Sequence, residues 1–171
     1  MEINRKDIVR NDFVPNGIYT CLITKVDNTP AGTGTVQTRL DLQIVAPETA
    51  VLGGQQFAVA GKNLNDRIFF SEKSMGRALE TVRSIGLTDA ADNAATTDDI
   101  QAALANLENC YIDVVIESRE RLVRATPEPG QPAYKAPVLK RADGSPVTDG
   151  YEISVKCYER HTLRKPDGQP Y

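Results

Sequence analysis

The 171 residues carry 20 Lys and Arg against 23 Asp and Glu, a formal charge of −3, with 40% hydrophobic and 25% charged residues. That is the composition of one globular domain with long loops or a tail, large enough to bury a core without disulfide or metal staples, and it excludes a uniformly basic binder. No apolar run approaches the ~20 residues of a membrane helix, and Met1–Asn11 is too polar for a secretory signal, so a cytoplasmic protein is expected.

In chain order, residues 1–16 read as an arm that ends in the turn signal Pro15-Asn16-Gly17. The first strand, Gly17–Val26, places Ile18, Leu22 and Val26 on one face and Tyr19, Cys21, Ile23 and Lys25 on the other. Asn28–Gly34 is a hairpin loop. The second strand, Val36–Val45, has the clearest alternation: Val36, Thr38, Leu40, Leu42 and Ile44 face inward, and Gln37, Arg39, Asp41 and Gln43 face outward. Gly53-Gly54 turns the chain into a third strand, Gln55–Gly61, where Phe57 and Val59 share a face. A helix follows over Ser71–Ile85, with Met75, Leu79 and Val82 in one stripe and Gly86 at its C′ position. Ala90–Thr96 is a small-residue linker to a second helix, Asp98–Leu107, with Asp98 and Gln101 spaced as a capping box.

The fourth strand, Tyr111–Ser118, alternates Ile112, Val114 and Ile116 against Tyr111, Asp113, Val115 and Glu117. Thr126–Gly150 holds Pro127, Pro129, Pro132, Pro137 and Pro146, a density that forbids a central strand and predicts a long, partly mobile loop. The last strand, Tyr151–Tyr158, puts Tyr151, Ile153, Val155 and Cys157 inward and Glu152, Ser154, Lys156 and Tyr158 outward. Residues 161–171 form a basic tail. Strands, a helix, then a returning pair is the order of an all-β, five-stranded barrel of the OB type. It would have one or two helices between strands three and four, a long loop between strands four and five, and its domain at residues 17–160.

No catalytic constellation competes with that reading. His161 is the only histidine, four residues after Cys157, and Cys21 and Cys110 supply no second ligand pair for zinc. The odd number and wide spacing of the cysteines predict free thiols in a reducing compartment. A Ser-His-Asp or Cys-His set would have to recruit His161 from the terminal segment, and no nucleophile elbow is present. Asp98-Asp99 complement a helix dipole, and Gly32-Thr33-Gly34 is a hairpin signal rather than a phosphate loop. No cofactor and no enzymatic activity are therefore expected.

The positive signal is aromatic residues interleaved with basic ones. Binding of single strands needs π-faces for bases and cations for phosphates. Tyr19 with Lys25, Arg39 on the second strand, and Lys156 with Tyr158 on the last strand supply both. Arg121 and Arg124, beside Arg119, follow the fourth strand, and the long loop adds Tyr134 and Lys135. Acidic residues collect at Asp89, Asp92, Asp98 and Asp99, so the basic surface falls toward the final hairpin and tail.

These segments, taken in order, resemble phage and prophage single-stranded-DNA-binding proteins of the OB-fold type. Val14-Pro15-Asn16-Gly17-Ile18-Tyr19, followed by Leu22-Ile23-Thr24-Lys25-Val26, resembles their opening P-x-G-x-Y strand. Leu40-Asp41-Leu42-Gln43-Ile44-Val45 is similar to their second strand, and Leu52-Gly53-Gly54-Gln55 to the turn into the third. Ser74-Met75-Gly76-Arg77-Ala78-Leu79 with Ser84-Ile85-Gly86-Leu87 resembles the connecting helix. Leu104-Ala105-Asn106-Leu107-Glu108-Asn109 before Tyr111-Ile112-Asp113-Val114 resembles the entry to the fourth strand.

The resemblance spans residues 13–118 and implies sequence-tolerant, non-catalytic binding of single-stranded DNA in phage replication or recombination. It places the protein in the host cytoplasm and implies replication or recombination proteins as further partners. Such proteins often end in an acidic tail that docks those partners. Here the last residues given are Arg164-Lys165-Pro166-Asp167-Gly168-Gln169-Pro170-Tyr171, a departure that leaves two readings, a shortened chain or no such docking role. A phage structural or protein-interaction β-barrel, and a small nucleic-acid-processing enzyme, are the rival classes.

Overall fold

A computed structural model describes residues 13–171. The elements in order are β1 (Gly17–Asp27), β2 (Gln37–Ala46), β3 (Thr49–Leu52), β4 (Gln55–Ala58), β5 (Asn63–Phe69), α1 (Met75–Ile85), α2 (Thr88–Asn93), α3 (Thr97–Ala105), β6 (Tyr111–Leu122) and β7 (Thr148–Tyr158). Five strands form one sheet in the order β5-β2-β1-β6-β7, and β3 with β4 forms a separate hairpin. No described helix is long and apolar enough to cross a membrane.

The expected barrel is not closed: no backbone ladder joins the edge strands β5 and β7. They meet instead through side chains, the Tyr158 hydroxyl donating to Asp66 Oδ2 at 2.7 Å. A phenol reaching a carboxylate bridges a gap wider than the ~4.8 Å of a backbone ladder.

The chain divides into two compact units. The larger, Val14–Glu117 with Ser154–Tyr171, holds the apolar core. Leu40, Leu42 and Ile44 of β2 and Ile112, Val114 and Ile116 of β6 are buried as their alternation predicts, with Tyr19, Cys21 and Ile23 of β1 between them. Ala78, Val82 and Ile85 are the buried residues of α1. Gly86 ends that helix at φ 119°, its N–H donating to Arg83 O, while Leu87 N–H reaches Val82 O at 3.2 Å.

Several expected boundaries move. The segment expected as the third strand is the second leg of the β3–β4 hairpin, and the third strand of the sheet is β5. The linker before the second long helix contains α2. The capping box is formed by Thr96 and Asp99, not by Asp98 and Gln101. Gln101 is instead buried, donating to Gln37 O at 2.9 Å and Thr38 Oγ1 at 3.3 Å, so α3 braces β2 through a satisfied polar contact.

Neither terminal segment is a free appendage where it is described. Val14 is fully buried and Pro15 O accepts the Tyr19 hydroxyl, while residues 1–12 of the expected arm lie outside the described residues. The expected tail returns to the sheet: Tyr111 and Arg164 exchange backbone hydrogen bonds at 2.9 and 2.8 Å, and Leu163 is buried.

The smaller unit is built from Ser118–Ile153, with Phe13 edge-on to Tyr151 at 5.0 Å between ring centres. Its proline-rich excursion is tied down, not a plain loop. Val123 N–H donates to Val147 O, Leu139 N–H to Val123 O and Val147 N–H to Leu139 O, each at 2.9 Å. Prolines occupy the positions between those bonds, where no donor is required.

Candidate nucleic-acid interface

Two departures from strict alternation decide which side chains reach the outer sheet face. The first is a bulge in β1: Ile23 pairs with Leu42 and Lys25 with Asp41, so Thr24 is the extra residue. The slip moves Lys25 to the outer face and leaves Tyr19 on the inner one. Tyr19 is 3% exposed, and burial raises its pKa. Its expected role as a stacking surface is thereby corrected, since its ring belongs to the core.

The second lies in β7, where Lys156 and Cys157 are both exposed and Tyr158 turns inward. Tyr158 is 5% exposed; burial pushes its pKa well above the usual value, and the neighbouring Asp66 carboxylate pushes it the same way. The expectation that Tyr158 shares a face with Arg39 and Lys156 is also corrected. A buried ring able to place its hydroxyl on Asp66 outweighs the period of the strand.

What gathers on the outer face is Lys25, Arg39 and two residues that the sequence reading missed, Arg67 and Phe69. Arg39 stands directly opposite Arg67, and Gln37 opposite Phe69, across the β2–β5 ladder. Arg39 is half-buried, with its Nε 3.0 Å from Asp41 Oδ1 and its Nη2 3.9 Å from Asp27 Oδ2. Lys25 and Arg67 are exposed and make no ion pair among the described residues. Phe69 is 40% exposed, while its neighbour Phe70 is buried. Arg67 and Phe69 were missed because β5 was: Asp66 occupies an inward position between Leu64 and Ile68 and breaks the apolar alternation that marks a strand. The signal left was Asn63, Asn65, Arg67 and Phe69 at period two.

No protein-family model matches this chain, and no curated protein matches it.

Lys156 lies at the far edge of the same sheet, its Nζ 3.4 Å from Glu117 Oε1. Arg121, Arg124, Tyr134 and Lys135 fall together in the smaller unit. There Arg121 Nε donates to Asp149 O at 3.1 Å, and Arg124 Nη1 to Ala136 O at 2.8 Å, so both guanidinium groups hold backbone. Tyr134 is 67% exposed with Lys135 Nζ 5.9 Å from its ring centre. The nine expected site residues thus separate into an outer-face pair, Lys25 and Arg39, the edge cation Lys156, a second set in the smaller unit, and two core tyrosines.

The outer face has the components for holding a polyanion: one cation on each of β1, β2 and β5 and an aromatic edge beside them. Two arginines opposed across a ladder repel each other. Asp41 and Asp27 offset this at Arg39 only, and an anionic ligand would offset the rest.

Proposed function

We propose that this protein binds single-stranded DNA without marked sequence preference and without catalysis, on the outer face of β1, β2 and β5. The observation that carries the proposal is the opposed pair Arg39 and Arg67, with Lys25 and exposed Phe69 on the same face. Lys25 and Arg67 have no ion-pair partner among the described residues and are free to follow phosphates, Arg39 is shared with Asp41 and Asp27, and an exposed ring offers a stacking surface to any base.

An OB-type ancestry is supported by the order of pairing. β1 pairs with β2 and β6, β2 with β5, and β6 with β7, while the helices lie between β5 and β6. That is the order of a five-stranded Greek-key barrel opened along one seam, and OB barrels are often partly open. The phage resemblance draws further support from where its segments fall. Pro15 and Tyr19 meet in a hydrogen bond, Gly53-Gly54 is the hairpin turn, and Leu104–Asn109 leads into β6. A role in phage replication or recombination, alongside the proteins of those processes in the host cytoplasm, belongs to the same proposal.

The second reading, a protein-interaction module, draws on the β3–β4 hairpin. It carries no charged residue from Thr49 to Ala58 and exposes Val51 and Leu52 at 67% and 52%.

Fluorescence anisotropy with labelled poly-dT, duplex DNA and poly-U at two salt concentrations separates the two. Salt-sensitive preference for poly-dT is expected. Arg67→Ala and Lys25→Ala should each weaken binding to every sequence and reduce the salt slope by about 0.7, the single-strand value per phosphate contact. No binding of poly-dT at low salt would reject the proposal in favour of the protein-interaction reading.

A further inference from the structure

The open seam between β5 and β7 is a groove. It holds about 640 Å³ and is walled by β5, α1 and β7, all within the larger unit. Cavities of roughly 300–1,000 Å³ are the size that accepts ligands. Three cations reach it from three elements: Arg67 from β5, Arg77 from α1 and Lys156 from β7. Arg67 and Arg77 have no ion-pair partner among the described residues, and Lys156 keeps 61% of its side chain exposed beside Glu117.

The two carboxylates that also reach the groove are already engaged. Glu80 is paired with both Arg83 and Arg160, whereas Asp66 accepts from the neutral phenol of Tyr158 and keeps its own charge. With Glu80 offset by its two arginines, Arg67, Arg77 and Lys156 outnumber Asp66 and the Glu117 beside Lys156, which leaves a positive excess for a ligand. Apolar surface is supplied by Phe69 and Val155.

Arg67 and Phe69 belong at once to this groove and to the outer face described above. One strand of a polyanion lying across Arg39 and Arg67 therefore meets the groove mouth at Phe69. Resting on the single-stranded DNA reading, we propose that the groove between β5, α1 and β7 is a second subsite that receives the continuation of the bound strand. Its phosphates are taken by Arg77 and Lys156, and a base is taken by the Phe69 edge. The outer face binds a short oligonucleotide alone, and the groove is filled only by a longer one.

Cys157 gives a direct readout. It lines the groove and is the exposed thiol of the chain, Cys21 and Cys110 being buried. In the intact protein, alkylation of Cys157 by a maleimide should be slowed at least tenfold by saturating long oligo-dT and not by saturating short oligo-dT. Arg77→Glu should weaken long oligo-dT about tenfold or more and leave short oligo-dT unchanged, because Arg77 is on α1 and outside the outer face.

If long oligo-dT binds but leaves Cys157 fully reactive, or Arg77→Glu binds both lengths like the parent, the groove is not part of the path and outer-face binding stands. Protection of Cys157 by a polyglutamate peptide, but not by bound oligo-dT, would overturn the proposal and assign the groove to an acidic protein segment. Failure of the parent protein to bind either length is the separate outcome that rejects the DNA reading itself, and the groove proposal falls with it.

Discussion

Asp66 and Tyr158 are 92 positions apart in sequence, yet they form the side-chain contact across the open seam. Burial raises the Asp66 pKa above the usual carboxylate value, while the hydrogen bond from Tyr158 pulls it down less strongly. A carboxyl whose folded pKa lies above its unfolded one keeps its proton longer in the native state. Stability from this group is therefore full below the unfolded value, near pH 4. It declines as pH rises through the folded value and is level above that. Asp66→Asn keeps an acceptor for Tyr158 and removes the charge. The variant should be at least as stable as the parent at neutral pH and lose less Tm than the parent between about pH 4 and neutrality. Melting curves across that range test this, and an equal loss in both proteins would show that Asp66 does not carry it.

At the scale of elements, two helix ends hold the scaffold behind the interface. Gly86 closes α1 at φ 119°, a conformation that a Cβ strains, although Leu163 Cβ at 3.5 Å leaves ordinary contact distance. Gly86→Ala should cost about 1–2 kcal/mol through backbone strain. Thr96 accepts from Asp99 N–H at 3.3 Å, and Thr96 N–H donates to Asp99 Oδ2 at 3.2 Å. Thr96→Ala should cost about 1 kcal/mol. Because α3 carries Gln101 to the backbone of β2, the same change should speed amide exchange at Gln37 and Thr38. Denaturant titrations give the two energies; exchange at β2 unchanged in Thr96→Ala would uncouple the cap from the sheet.

For the molecule as a whole, a net charge of −3 means that the proposed affinity for DNA would have to come from local cations. With Lys25, Arg39 and Arg67 as the outer-face contacts, the single-strand relation of about −0.7 per phosphate gives a salt slope near −2. Asp41 and Asp27 beside Arg39 pull the value toward the shallower side. A single exposed ring on the outer face, Phe69, allows little discrimination among homopolymers. Anisotropy over a salt series tests both points. A flat salt response or a strong preference for one short sequence would indicate base-edge readout instead.

The strands β2 and β6 and the helix ending at Gly86 were legible in the sequence, because period-two alternation and a C′ glycine are local signals. So was the β-rich class with helices inserted late in the strand order. The candidate site was legible only in part. Lys25 and Arg39 were legible as outward cations, but a one-residue bulge at Thr24 separates Lys25 from Tyr19, and no composition rule marks that slip. Arg67 and Phe69 were hidden because an inward Asp66 makes β5 look non-amphipathic. Asp66 is tolerated there because Tyr158, arriving from the other end of the sheet, supplies its donor. The open seam, the groove and the inward turn of Tyr158 all meet at that one long-range pairing. Alternation depends on neighbours along the chain, whereas a buried carboxylate finds its partner only when the sheet has curled.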